Sequence, residues 1–308
     1  MRGAFITTLA ELAKSDDRIC LLTGDLGFTV VEPFAERFPD RFFNVGVAEQ
    51  NMVGVATGMA EAGFIPFVYS IATFATLRAY EFIRNGPVLH ELPVRIVGVG
   101  GGFEYGSAGF THHALEDIAV MRVLPNLTVI APADYAQAAS ALRATWDSPG
   151  PVYYRLGKDD QRSVHGLNGS FELCRIDRIR DGGDVAIVTM GAIAREALAA
   201  VDDLETGGIA CTVLIVSTLS PPPSVQLADM LAGFRSIVTV EAHNEIGGLG
   251  SLVSEVIAEH ALGCRVIRIG VSGQGRELNG SESFLNHAHG LDADQIAARV
   301  RSVLPLGS

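Results

Sequence analysis

The sequence predicts an α/β protein built of two doubly wound domains, and three observations predict it. Short β-branched runs alternate with helical stretches along the 308 residues, the pattern of repeated βα units. Hydrophobic residues make up 48% of the chain and charged residues only 19%, with 34 glycines, a composition suited to parallel strands buried on both faces. The alternation breaks once, over 156–182, where a polar stretch rich in Gly, Asp and Arg carries no periodicity. The expected organisation is therefore a first domain over 1–160, a linker over 161–182 and a second domain over 183–308.

In order, a helix at 9–14 leads into an apolar strand at 19–23. A second strand at 42–45 feeds a helix at 49–61 that carries Glu49 in its first turn. Gly54, Ala56, Gly58 and Ala60 leave that helix poor in bulk. Each internal Gly costs about 0.5–1 kcal/mol relative to Ala, so close packing must recover it, within the domain or against another subunit. A strand at 65–70 and a helix at 72–84 follow, and Pro87 after Gly86 should end or kink that helix. The first domain continues with strands at 94–99, 127–131 and 152–156 and helices at 115–123 and 135–147. In the second domain strands are expected at 185–189, 211–216, 236–240 and 266–269. Helices at 194–204, 225–231, 251–260 and 293–303 alternate with them, and Pro221-Pro222-Pro223 makes a rigid turn.

The balance of 23 basic against 35 acidic residues, a net charge of −12, argues against nucleic acid and anionic membrane surfaces as partners. Any anionic ligand must be held by a local cluster of cations. Cys20, Cys174, Cys211 and Cys264 are scattered without metal-ligand spacing, as small core residues in a reducing compartment would be. Glu11, Lys14, Asp16 and Asp17 interrupt any signal-like apolar run near Met1, and the apolar run over 185–194 falls short of the ~20 residues that span a bilayer. A cytoplasmic protein without membrane segments is the expectation.

Three segments carry candidate chemistry. In Gly46-Val47-Ala48-Glu49-Gln50 a carboxylate sits where a helix N-terminus favours an anion, which by itself is an ordinary stabilising feature. In Thr73-Phe74-Ala75-Thr76-Leu77-Arg78-Ala79-Tyr80 the residues Phe74, Leu77 and Tyr80 share a face by helical spacing, either a core stripe or one wall of a pocket. Gly100 to Gly109 place five glycines after a strand, where open α/β sheets bind ligands, and the loop ends in Phe110-Thr111-His112-His113. His112, His113, Glu116 and Asp117 could also be read as metal ligands, but adjacent histidines diverge and no remote ligand joins them, so no metal site is expected on this chain.

Together these segments resemble the transketolases. Gly46-Val47-Ala48-Glu49-Gln50, Thr73-Phe74 with Tyr80, and Gly109-Phe110-Thr111-His112-His113 stand in the order and spacing of that family, followed by Leu124-Pro125-Asn126-Leu127 and Ala131-Pro132-Ala133-Asp134. Val240-Glu241-Ala242-His243-Asn244-Glu245-Ile246-Gly247-Gly248-Leu249-Gly250-Ser251 resembles the family's C-terminal domain, so the likeness spans essentially the whole chain. The family's Gly-Asp-Gly motif, which binds diphosphate and a divalent metal, does not occur in the sequence. The chain thus looks like a pyrimidine-binding domain followed by a C-terminal domain, the second half of a split, two-component transketolase.

The resemblance implies thiamine diphosphate as cofactor, with its diphosphate and Mg2+ (or Ca2+) held by a partner subunit carrying Gly-Asp-Gly, in an α2β2 heterotetramer acting on sugars. It implies that Glu49 hydrogen-bonds the pyrimidine N1′ and drives proton removal from the thiazolium. Phe74 would stack on the pyrimidine, Leu77 and Tyr80 would wall the pocket, and Asp25 with Leu26 would lie near the thiazolium. His112 would contact substrate oxygens, and His113, Arg155, Lys158, Thr29 and Arg2 are the remaining substrate candidates. Ala108 stands in the place of an Asp that recognises the acceptor's 2-hydroxyl, and Gly100 in the place of a His near the substrate phosphate. A β subunit of a 2-oxoacid dehydrogenase, or an acyloin- or deoxyxylulose-type synthase, is the same-fold alternative; a non-catalytic assembly subunit would not need Glu49, Phe74 and His112 together.

Overall fold

The computed structural model describes residues 1–273 and 278–304. Its strands are β1 (Ile19–Thr23), β2 (Phe42–Asn44), β3 (Ile65–Ile71), β4 (Arg95–Val99), β5 (Thr128–Ile130), β6 (Val152–Leu156), β7 (Ile176–Arg180), β8 (Val185–Thr189), β9 (Cys211–Val216), β10 (Thr218–Ser220), β11 (Ser236–Asn244) and β12 (Arg265–Val271). The α-helices are α1 (Arg2–Leu12), α2 (Glu32–Arg37), α3 (Glu49–Glu61), α4 (Tyr80–Ile83), α5 (Asp117–Arg122), α6 (Tyr135–Thr145), α7 (Ala194–Thr206), α8 (Ser224–Leu231), α9 (Leu249–Glu259), α10 (Glu282–Ala288) and α11 (Ala293–Val303).

Two mixed sheets result, ordered β10-β5-β6-β4-β3-β1-β2 and β12-β11-β8-β9-β7, parallel except for β10 and β7. Each central strand feeds two cores, because successive side chains point to opposite faces. Along β1, Cys20 and Leu22 enter the core shared by both domains, while Leu21 and Ile19 enter the outer core beneath α1 and α6. The shared core runs without a break from Val68, Ile96 and Val129 to Val188, Leu214 and Ile237 of the second sheet. Burial on both faces explains why these strands read as near-continuous apolar runs.

Four elements were not expected from the sequence. Strand β7 lies inside the polar segment expected to be a linker and pairs antiparallel with β9, so that segment closes the edge of the second sheet. Strand β10 leaves the second half of the chain to pair with Ile130 and Val129 on the edge of the first sheet. Helix α2 starts with Pro33 in its first turn, and α10 is capped by Ser281 Oγ, which accepts from Phe284 N at 3.2 Å. Helix α1 also begins earlier than expected; it buries Phe5, Ile6, Thr8, Leu9 and Ala10, so apolar residues fall on too many sides to reveal its start.

The domains are latched by buried polar groups. Asn244 N donates to Leu115 O at 2.9 Å, and Ala119 N donates to His243 Nε2 at 3.3 Å. His243 is fully buried, and that burial holds its imidazole down to about 4, the neutral form that the Ala119 contact requires. Glu241 accepts from Leu249 N and Gly250 N at 2.7 and 2.8 Å, anchoring the start of α9, and burial pushes its carboxyl up to about 7. The Glu241–His243 segment of the C-terminal motif is thus a structural joint. Among the described residues no helix is long and apolar enough to cross a membrane.

Candidate active site

The candidate residues gather at the carboxyl edge of β2, β1, β3 and β4, which lie side by side in the first sheet. Glu49 opens α3 directly after β2 and is only 2% exposed. Its Oε1 accepts from Ser70 Oγ at 3.0 Å, and its Oε2 accepts from Arg78 Nη1 at 3.2 Å. Gly24, at the end of β1, leaves space beside it: a Cβ there would stand 3.5 Å from Glu49 Oε1 and 3.3 Å from Gly46 O. A side chain at position 24 would press on the Gly46 carbonyl and fill the space beside the carboxylate.

Phe74 belongs to a π turn, Phe74–Arg78, rather than to the regular helix expected over 72–84; α4 follows, and a second π turn, Arg84–Val88, accommodates Pro87. The wider turn changes which residues share a face. Arg78, not Leu77, comes over Phe74, with its guanidinium carbon 3.7 Å from the ring centroid. Leu77 is 42% exposed, and Tyr80 packs partly against the shared core.

The Gly-rich loop is not a free loop. Gly102 and Ala114 exchange backbone hydrogen bonds at 2.9 and 3.0 Å, and Gly100, at φ +84°, lies against the Tyr105 ring where a Cβ would collide with it. The closed loop sets His112 edge-on to Phe74, ring centroids 4.9 Å apart, and 6.4 Å from Tyr105. Thr111 Oγ1 lies 3.0 Å from His112 Nδ1. Burial, then the charge of Arg78 and the neighbouring His113, hold the His112 imidazole below its ordinary range. Lys158 Nζ sits over the Tyr105 ring at 4.3 Å and donates to Glu104 O at 2.9 Å.

One unbroken line of contacts therefore runs Glu49, Arg78, Phe74, His112, Tyr105, Lys158. Of the residues expected from sequence, Glu49, Phe74, His112 and Lys158 lie on it; Ser70, Arg78 and Tyr105 join them only in the folded chain. Asp25 is held nearby at φ +58° by Asn44, whose Oδ1 accepts from Asp25 N and whose Nδ2 donates to Asp25 Oδ1. Leu26 O accepts from Thr23 Oγ1, and Thr29 N donates to Glu32 Oε1, ahead of α2.

Two substrate candidates lie elsewhere. His113 is buried, with Nε2 3.3 Å from Gly106 O and its ring edge-on to Phe103. Arg155 is also buried: Nε donates to Asp117 Oδ2 at 2.8 Å, and Nη2 donates to Ala114 O and Ala242 O at 2.9 Å each. Tyr153 Oη donates to the same Asp117 oxygen at 2.7 Å. Sequence displays a charge but not its burial: His113 packs inside the Gly-rich loop, and Arg155 ties that loop to the second domain. Glu116 accepts from Asn244, so the four residues weighed as metal ligands point to different partners. Among the described residues no three His, Cys, Asp or Glu side chains gather to hold a metal.

Residues 1–163 match the transketolase pyrimidine-binding domain, and residues 175–296 match the transketolase C-terminal domain. The chain belongs to the transketolase family. It is 35% identical to one of the subunits of apulose-4-phosphate transketolase from Actinobacillus succinogenes, over 94% of this chain and 93% of the relative. It is 36% identical to the 6-deoxy-6-sulfo-D-fructose transketolase subunit SqwH of Clostridium sp. strain MSTE9, over 98% of this chain and 94% of the relative. A solved split-gene transketolase, an inactive β4 tetramer, superimposes with a TM-score of 0.87 at 37% identity, covering 100% of this chain and 99% of the other. This transketolase chain therefore resembles single subunits from end to end, and its family domains imply dependence on thiamine diphosphate.

Proposed function

We propose that this chain is the C-terminal subunit of a two-component transketolase that moves a two-carbon ketol unit from a ketose to an aldehyde acceptor. The observation that carries the proposal is the single site in which the Glu49 carboxylate, the Phe74 ring and the His112 imidazole converge. The residues fit an aminopyrimidine: a planar cation, the Arg78 guanidinium, already lies between that ring and that carboxylate, and Gly24 keeps the neighbouring space open. Thiamine diphosphate, when bound, supplies the carbon nucleophile of ketol transfer. Glu49 would hold the proton-bearing ring nitrogen, Phe74 would orient the ring, and His112 would exchange a proton with the reacting oxygen from a neutral imidazole.

Diphosphate and Mg2+ would be held by a partner chain that carries Gly-Asp-Gly, since that sequence does not occur here. The inactive state of the β4 relative and the subunit names of the other two support a requirement for that partner. Those names also support ketol transfer over dehydrogenase or synthase chemistry. A cytoplasmic α2β2 assembly is part of the same proposal, with a first domain over 1–160 and a second that takes in β7 together with 183–308.

Acceptor choice follows from the turn beside His112. Ala108 is exposed there and cannot accept a hydrogen bond from an acceptor's 2-hydroxyl. A site built to pair a hydroxyl rejects analogues lacking it, and an alanine site loses that discrimination. The complex with its partner should transfer ketol units to aldehydes with and without a 2-hydroxyl within about tenfold in kcat/KM. Absence of transfer from every ketose donor would remove the function; a thousandfold preference for the 2-hydroxy aldehyde would remove the specificity argument alone.

A further inference from the structure

Arg78 occupies the position that Glu49 and Phe74 would otherwise leave open. Glu49 is buried in a pocket whose other hydrogen bond comes from the neutral Ser70 hydroxyl, so Arg78 supplies the charge that compensates it. The Phe74 face is covered by the same guanidinium. A guanidinium is planar, delocalised and cationic, presents N–H groups along an N–C–N edge, and stacks on aromatic faces. A 4-aminopyrimidine carrying a proton on its ring nitrogen has the same features in the same arrangement. Both would use one N–H toward the Glu49 carboxylate and one flat face toward Phe74, so both cannot hold these partners at once.

We infer that Arg78 is a resident surrogate for the aminopyrimidine, pairing with Glu49 and Phe74 until the cofactor displaces it, and so sets the affinity with which the subunit takes up cofactor. The inference rests on the assignment of Glu49 and Phe74 to the pyrimidine. Two features make the side chain displaceable. It is 44% exposed although its carboxylate partner is 2% exposed, so it has solvent to swing into. It is also the last residue of the π turn, and Ala79 behind it leaves helical geometry at φ −99°, ψ 8°. Exchange of one cation for another keeps the Glu49 charge compensated in both states.

The consequence is a cost on binding: if only about a tenth of subunits have Arg78 withdrawn, the apparent Kd is about tenfold weaker than the open pocket allows. The test uses Arg78→Gln in the full chain, with two measurements. In calorimetric titration of the complex with its partner by thiamine diphosphate and Mg2+, the variant should bind about tenfold more tightly than the wild type. An unchanged or weakened Kd with normal wild-type binding would overturn the surrogate role alone. Failure of the wild-type complex to bind would overturn it together with the proposed function. In thermal melts of the full chain alone, Arg78→Gln should lower Tm, while adding Glu49→Gln to it should restore part of the loss. Strictly additive melts would show that the two side chains do not interact and would overturn the inference independently of any cofactor.

Discussion

Glu49→Gln should give a folded protein that assembles normally and, with its partner, transfers ketol units about 10²–10⁴-fold more slowly. The glutamine is nearly isosteric, still accepts from Ser70 or Arg78, and loses only a pair whose cation is half exposed. Its stability should therefore fall by no more than about 1 kcal/mol. The effect on rate is larger because an amide cannot hold a proton-bearing ring nitrogen as a carboxylate does. Single-turnover kinetics beside thermal melts separate the two. Near-normal turnover would reduce Glu49 to a residue that steadies the first turn of α3.

Arg155→Met should act in the opposite way, costing about 3–5 kcal/mol of stability with no specific loss of affinity for phosphorylated acceptors. Burial pulls the guanidinium down, and Asp117, Tyr153 and Glu104 together more than reverse this, holding it above its ordinary range. Removing it leaves Asp117 buried with only the Tyr153 hydroxyl on Oδ2, and Oδ1 has no hydrogen-bond partner. It also removes the one donor shared by Ala114 O and Ala242 O, which joins the His112 loop to the second domain, although Ala114 O keeps Gly102 N. Denaturant unfolding together with KM for a phosphorylated and a plain aldehyde decides the matter. A variant of native stability with a raised KM for the phosphorylated aldehyde alone would return Arg155 to the phosphate contact expected from sequence.

The parts of the fold that are legible in the sequence share one physical cause. Strands such as β1 and β4 are buried on both faces, so their sequences are apolar but for Thr23 and Arg95 at their ends and stand out against the intervening helices. Strand β10 is three residues long, Thr218-Leu219-Ser220, and exists because Val129 and Ile130 offer an edge to it. Nothing local announces such a strand. Strand β7 carries Asp177, Arg178 and Arg180 because it is an edge strand with a solvent side, and so it reads as linker.

The same division holds within the candidate site. Glu49, Phe74 and His112 stand out through their motifs, and the structure brings them together. Arg78 lies in the same motif as Phe74 but stays hidden there, because a spacing of 3.6 residues per turn sets both Leu77 and Arg78 beside Phe74, and only the wider π turn takes Leu77 off that face and leaves Arg78 on it. Ser70 belongs to the site only through the β3-β1-β2 order that brings it to Glu49, and Tyr105 through the adjacency of β3 and β4 and the folding back of the Gly-rich loop onto Gly100. Conversely, His113 and Arg155 carry chemistry that suits a substrate, but burial commits His113 to the packing of the Gly-rich loop and Arg155 to the domain joint.

On the proposed function this chain supplies the pyrimidine half of a cofactor site whose diphosphate half lies on another subunit. Calorimetric titration with thiamine diphosphate and Mg2+ tests it most directly, performed on the full chain alone and then on the chain with the Gly-Asp-Gly partner. The expected result is no saturable binding by the chain alone and stoichiometric, saturable binding by the pair. Micromolar binding by the chain alone would contradict the two-component account.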